Sequence, residues 1–199
     1  SSAVYLQLFS VAAQDSFPTG MFFKPDGTKM YILGGGSRRV NEYDLSVAWD
    51  ISSAVYLQLF SVVAQESSPQ GMFFKPDGTK MYIIGSSGDD VNEYDLSVAW
   101  DISSAVYLQL FSVAAQDSFP SGMFFKPDGT KMYIVGYSSA VVYQYSTGIL
   151  YNTLITWPTS IIWETGSAPN VPELGQTLLL ELYTSDSGTT YHATYQEIT

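Results

Sequence analysis

The chain has 199 residues, 46% of them hydrophobic and 15% aromatic, which is enough apolar material for one sizeable core or two small ones and disfavours a disordered chain. Its formal charge is −11, with all eight Lys and Arg at or before Lys131, so nucleic acid and anionic membrane surfaces are disfavoured as partners. There is no cysteine, hence no disulfide framework, thiolate nucleophile or thiolate metal site, and no apolar run approaches the roughly 18 residues of a membrane span.

The chain opens at Ser1 inside a repeat, which leads us to expect further repeats upstream in the parent protein. Residues Ala3 to Val11 (AVYLQLFSV) read as a long strand, β-branched and aromatic, with Val4, Leu6 and Leu8 on one face and Tyr5, Phe9 and Val11 on the other. The stretch PTGMFFKPDGTKMYILG follows at 18 to 34 and returns nearly unchanged at 69 to 85 and 120 to 136, a period of 51 residues. A fixed period of this size points to stacked supersecondary units. Within it Gly20 to Lys24 is a short strand, and Pro25 and Gly27 form a tight turn, Pro presetting φ and Gly accepting a positive one. Lys29 to Gly34 returns as the second strand, the Gly and Ser stretch at 34 to 37 breaks it, and Val40 to Leu45 is the third. SVAWDISS then leads to Ala54 to Val62, again AVYLQLFSV, and the cycle restarts; the third copy of this long strand is Ala105 to Val113.

Both faces of these strands are apolar, so each sheet must be covered on both sides, and without helices the natural cover is the neighbouring sheet. The expected fold is therefore all-β: propeller-like four-stranded antiparallel sheets from three repeats (1–51, 52–102, 103–148), then a small β module at 149–199. Because each long strand closes the sheet before it, the sheet of Gly122 to Tyr145 lacks a fourth strand. Ile149 to Thr156, or Ala3 to Val11 of some chain, are its candidates. Closed propellers need about four to eight blades, so three repeats cannot close alone. In the module, Pro158, Pro169 and Pro172 argue against continuous helix, and Thr177 to Thr184 and Thr189 to Gln196 read as a hairpin around SDSG. Its strands, with Trp157 and Trp163, carry more apolar surface than so short a unit can bury, which points to docking or oligomerisation.

The repeat FKPDGTKMYI with VNEYDLSVAWDISSA resembles tandem repeats of marine bacteriophage virion proteins and of propeller-like repeat proteins. The segment ITWPTSIIWETGSAPNVPELGQ with LYTSDSGTTYHA is similar to the C-terminal module of many phage tail-fibre proteins. The resemblance implies a non-enzymatic virion structural or adhesion protein at the virion surface or outside the cell. It further implies a homo-oligomer, with a trimer favoured over a two-chain six-blade ring, whose partners are a host-surface glycan or other virion proteins. A soluble multivalent carbohydrate-binding lectin is the alternative, and a glycan-cleaving enzyme the third reading. KPDGTKMY is also similar to the sialidase-type Asp-box, but its Asp and Gly are adjacent, and that motif is not carried over.

No catalytic, metal or cofactor residue is assigned. His192 is the only histidine; nothing orients a Ser and acid relay around it, and its period-two surroundings make it an ordinary sheet residue. Asp44, Asp50, Asp95 and Asp101 could pair for glycoside hydrolysis, but acids that recur in each repeat are expected to cap turns. SSGDD at 86 to 90 is oxygen-rich without the ligand spacing of a calcium loop. Trp49 and Trp100 could stack on sugars, although burial between repeats explains them as well. The copies differ chiefly at 15–19, 66–70 and 117–121 and at 35–39, 86–90 and 137–141, connections that share one end of a four-stranded meander. Arg38, Arg39, Asp89, Asp90 and Tyr137 on that face are accordingly the candidate partner-binding residues, joined by Trp49 and Trp100 as possible stacking groups.

Overall fold

A computed structural model describes residues 2–147 together with the strands Ile161–Trp163, Thr177–Tyr183 and Tyr191–Ile198. Contacts divide the chain into two units, residues 1–126 with 131–146, and residues 127–130 with 147–199. The first unit is a succession of antiparallel sheets. The first blade comprises β1 (Pro18–Phe23), β2 (Lys29–Gly34), β3 (Arg39–Leu45) and β4 (Ala54–Ser61), hydrogen-bonded in chain order. The second repeats it with β5 (Pro69–Phe74), β6 (Lys80–Gly85), β7 (Asp90–Leu96) and β8 (Ala105–Ser112). The third has β9 (Pro120–Phe125), β10 (Lys131–Gly136) and β11 (Val141–Ser146), three strands among the described residues.

The register repeats as faithfully as the sequence. Arg39 faces Ser61 and Leu45 faces Ala54 between β3 and β4, with a bulge after Glu42; Asp90 faces Ser112 and Leu96 faces Ala105 between β7 and β8, with a bulge after Glu93. The first strand of each blade is innermost. A Cβ on Gly20 would stand 3.6 Å from the Gly71 Cα, and one on Gly71 3.5 Å from the Gly122 Cα, so β1, β5 and β9 run side by side in close backbone approach, which glycine favours. This is the blade arrangement of a β-propeller, and the all-β, propeller-like expectation stands.

Apolarity on both faces has the predicted use. Tyr31, Leu33 and Val40 of the first blade and Phe74, Met81, Ile83, Tyr94 and Ile102 of the second form one core cluster between the blades. The turn chemistry also holds, since Gly27, Gly78 and Gly129 have φ near +75° in the PDG turns, and Asp26 caps the first of them by accepting from Thr28 N (3.0 Å).

One expectation is corrected. Ala3 to Val11 is not a strand in the structure, because strand conformation needs a pairing edge and none lies beside it among the described residues. In the second unit β12 (Ile161–Trp163) runs parallel to β14 (Tyr191–Ile198), which pairs antiparallel with β13 (Thr177–Tyr183), Tyr183 facing His192. The SDSG turn, the three prolines, Trp157 and Ile149 to Thr156 lie outside the described residues.

Candidate functional site on the loop face

The two variable connections of each repeat are fastened to one another by a buried acid. Asp15 accepts from Phe17 N (2.5 Å) and Ser37 N (2.6 Å), and Asp117 accepts from Phe119 N (2.7 Å) and Ser139 N (2.9 Å). Glu66 does the same in the second blade, accepting from Ser68 N (2.6 Å) and from Ser87 and Gly88 N (both 3.2 Å). Burial alone would raise the Asp15 carboxyl, but the hydrogen bonds from Ser37, Phe17 and Gly36 outweigh it and hold the group low. The result is a hydrogen-bonded seat that carries different side chains in the three blades. At its first pair of positions the repeats carry Phe17 beside Gly35, Ser68 Oγ bonded to Ser86 Oγ (3.1 Å), and Phe119 tilted on Tyr137 with ring centroids 5.4 Å apart.

The five loop-face candidates share this end of the blades but do not form one cluster. Arg38 and Arg39 are exposed in the first blade, and among the described residues no ion pair joins them to an acid. Asp89 and Asp90 occupy the same positions one blade later, and Tyr137 is exposed in the third. Arg38, Asp89 and Ala140 all have φ near +50°, a left-handed residue just before the third strand, where the absence of glycine gave no sequence signal for it. Asp90 differs from its neighbours. Only 6% exposed, it accepts from Asn92 Nδ2 (2.6 Å), and burial first, then the Glu66 and Asp89 carboxylates, push its own carboxyl up. Close to it in sequence, two further buried oxygens, Asp89 Oδ1 and Asn92 Oδ1, have no hydrogen-bond partner. Among the described residues no three His, Cys, Asp or Glu side chains are grouped to hold a metal.

Trp49 and Trp100 lie at the opposite end, against the PDG turns. Each adopts φ +66°, with its backbone N–H donating to the Gly27 or Gly78 carbonyl (3.0 Å), and its indole fills the space a side chain on that glycine would need. Near them Lys29 Nζ is held by Glu42 (2.5 Å) and Asp44 (2.6 Å), beside an open cleft of about 310 Å³ lined by Thr28, Lys29, Asp44, Leu45, Ser46, Ser53 and Val55. Burial would lower this lysine, but Asp44 and Glu42 outweigh it and keep the ammonium protonated, which makes it a structural ion pair rather than a nucleophile. Asp50 and Asp101 cap the short helical turns η1 (Ile51–Ser53) and η2 (Ile102–Ser104), accepting from Ser52 N and Ser103 N (2.9 Å each), the turn-capping role expected of repeated acids, whereas Asp44 and Asp95 pair instead with Lys29 and Lys80 (2.6 Å each).

No family model and no curated protein sequence matches the chain. Solved structures do. Putative 6-phosphogluconolactonases from Bacteroides fragilis and Bacteroides uniformis match 65% of the chain at 13% and 16% identity, each with a TM-score of 0.52. The periplasmic gluconolactonase PpgL of Pseudomonas aeruginosa matches 65% at 16% identity with a TM-score of 0.51. The matched part spans only 34 to 37% of those proteins. These likenesses correct the expectation of a non-enzymatic virion adhesion protein and the lectin offered beside it. That expectation makes the blade stack a scaffold for adhesion, whereas these solved proteins with the same stack are gluconolactonase-type, and none of the three is a phage or tail-fibre protein. Blades hold loops rigidly at one face, which serves chemistry as well as adhesion, so repetition could not exclude an enzyme. At these identities the likeness is one of fold, that of a stack of propeller-like blades.

Proposed function

We propose that the chain is part of an enzyme-type propeller whose loop face hydrolyses a small polyhydroxylated lactone. The observation that carries this reading is the buried Asp90 carboxyl with the unpaired acceptors Asp89 Oδ1 and Asn92 Oδ1 on nearby residues. Buried acceptors without donors suit a ligand that brings hydroxyl groups. A carboxyl with a raised affinity for protons is the better base once ionised. In the reaction Asp90 takes a proton from water as the oxygen adds to the lactone carbonyl carbon, and the same proton passes to the ring oxygen as the ring C–O bond breaks. A hydroxy acid is the product, and Asp90 returns to its starting state. The gluconolactonase names of the similar structures support the substrate class.

The test is the rate of ring opening of glucono-lactone and its 6-phosphate, measured by acid release above the spontaneous rate. Acceleration by the chain, reduced about 10²-fold or more in Asp90→Asn, is the expected result. No acceleration of either lactone by the folded chain, or equal acceleration by the variant, would overturn the reading.

A further inference from the structure

Among the described residues an unpaired segment stands at one end of the blade stack and an open sheet edge at the other, and the interior junctions show how the two fit. Residues 3–11, 54–62 and 105–113 have the identical sequence AVYLQLFSV. The second and third copies form β4 and β8, the outer strands of their blades. The first copy has no strand to pair with among the described residues, yet it already touches the first blade as β4 touches the second blade and β8 the third. Phe9 meets Tyr43 edge-on (centroids 5.5 Å apart), as Phe60 meets Tyr94 (5.4 Å) and Phe111 meets Tyr145 (5.2 Å). Gln7 Nε2 donates to Asp50 Oδ1 (2.7 Å), as Gln58 Nε2 donates to Asp101 Oδ1 (2.8 Å). Residues 3–11 therefore occupy the place of an outer strand of a blade standing before the first.

At the far end β11 is an edge among the described residues. Val142, whose counterparts Val40 and Val91 are 0% and 3% exposed, is 65% exposed, and Val141 is exposed beside it. An uncovered apolar edge strand invites another strand. The blade surfaces flanking these features match as well. In the interior junction Trp100 of the second blade lies against Phe22 of the first, and Tyr31 OH donates to the Trp100 carbonyl (2.6 Å). The equivalent Trp49, on the leading surface, is 59% exposed, and the equivalent of Phe22 on the trailing surface, Phe124, is 56% exposed.

We infer that two copies of this chain join head to tail by strand addition. Residues 3–11 of each copy become the fourth strand on β11 of the other, giving a closed six-blade ring, within the range in which propellers close. The interior register fixes the pairing: Ser10 opposite Val141, Phe9 opposite Val142, Leu8 opposite Tyr143, Gln7 opposite Gln144, a bulge at Leu6, then Tyr5 opposite Tyr145 and Val4 opposite Ser146. In the interior Gln58 Nε2 bridges Asp101 and Glu42 (2.9 Å). Gln7 bridges Asp50 and the other copy's Gln144, whose amide oxygen accepts as the Glu42 carboxylate does. Trp49 then covers Phe124 across each junction.

The absence of native cysteine makes the register testable in the full chain. Light scattering is expected to give a dimer of the 21.9 kDa chain at micromolar concentration, and a monomer for a variant lacking residues 2–11. On oxidation, the double variant Ser10→Cys with Val141→Cys is expected to give a disulfide-linked dimer, while Ser10→Cys with Tyr143→Cys, two residues out of register, is not. A monomeric parent overturns the inference. So do an in-register disulfide formed within a single chain, a dimer that survives removal of 2–11 and therefore rests on another segment, and an open series of larger species.

Discussion

The tryptophans at 49 and 100 sit in the same hexapeptide, VAWDIS, with the same left-handed φ, the same N–H to glycine bond and the same position over a PDG turn. One is 59% exposed and the other 8%. The local sequence sets the pose of the ring, and the preceding blade decides whether that pose is core. Trp100 has Phe22 and Phe74 stacked beside it; Trp49 has only Phe23, because among the described residues no blade precedes the first. Stability in this architecture therefore lives at junctions, as expected for repeats that bury their faces only against neighbours.

The sharpest way to break that comparison is to truncate both rings. Trp100→Ala removes a buried aromatic from a packed junction and is expected to cost about 3 to 5 kcal/mol in denaturant unfolding. Trp49→Ala, at a dilution where the chain is monomeric, is expected to cost less than about 1 kcal/mol. Equal losses would mean that the turn beneath the rings, common to both, matters more than the junction.

A smaller effect distinguishes the two ends of a blade. At the PDG end the acids that cap backbone N–H groups, Asp26, Asp50 and Asp101 among them, are exposed or half-buried, whereas at the loop end they are buried. Glu66→Ala leaves the N–H groups of Ser68, Ser87 and Gly88 without their acceptor, and a loss of about 2 to 3 kcal/mol is expected by calorimetry. A change within experimental error would show that water replaces the carboxylate freely.

How far the sequence could be read follows the same division. The strands of the three blades, the PDG hairpins, the lack of a fourth strand in the third sheet among the described residues and the face shared by the variable loops were legible, because each rests on local periodicity, turn chemistry or a comparison between copies. The seat formed by Asp15, Glu66 and Asp117 was missed. These acids stand within the variable segments and read as drift, although an acid at the same offset in all three copies was the available signal. Asp90 is a candidate in the sequence for its place in a variable connection, whereas its burial and its closeness to Glu66 depend on how two loops fold onto each other. The strand expected at 3–11 failed for a physical reason. Propensity marks a segment that fits a sheet but does not supply the edge it must pair with.

The smallest expected effect concerns that carboxyl and separates electrostatics from function. Asp90 is pushed above its ordinary value of 3.8 by burial and by Glu66 and Asp89, so the native state binds its proton more tightly than the unfolded chain does. Its ionisation therefore costs stability. The penalty is absent below pH 3.8, grows as pH rises to the folded-state value and is constant above it. Asp90→Asn removes the charge while keeping an oxygen for Asn92 Nδ2 to donate to. The variant is expected to match the parent's melting temperature at pH 3 and to exceed it at pH 7, by less than the losses predicted for the two preceding sites. Adding Glu66→Gln removes the next-largest push and is expected to shrink the gap at pH 7. A gap independent of pH would show that ionisation of Asp90 carries no penalty. If the gap behaves as expected and lactone turnover falls with it, the charge that strains the fold is the one that moves the proton. If the gap behaves so while turnover is unchanged, the strain is real but the proton is moved by another group.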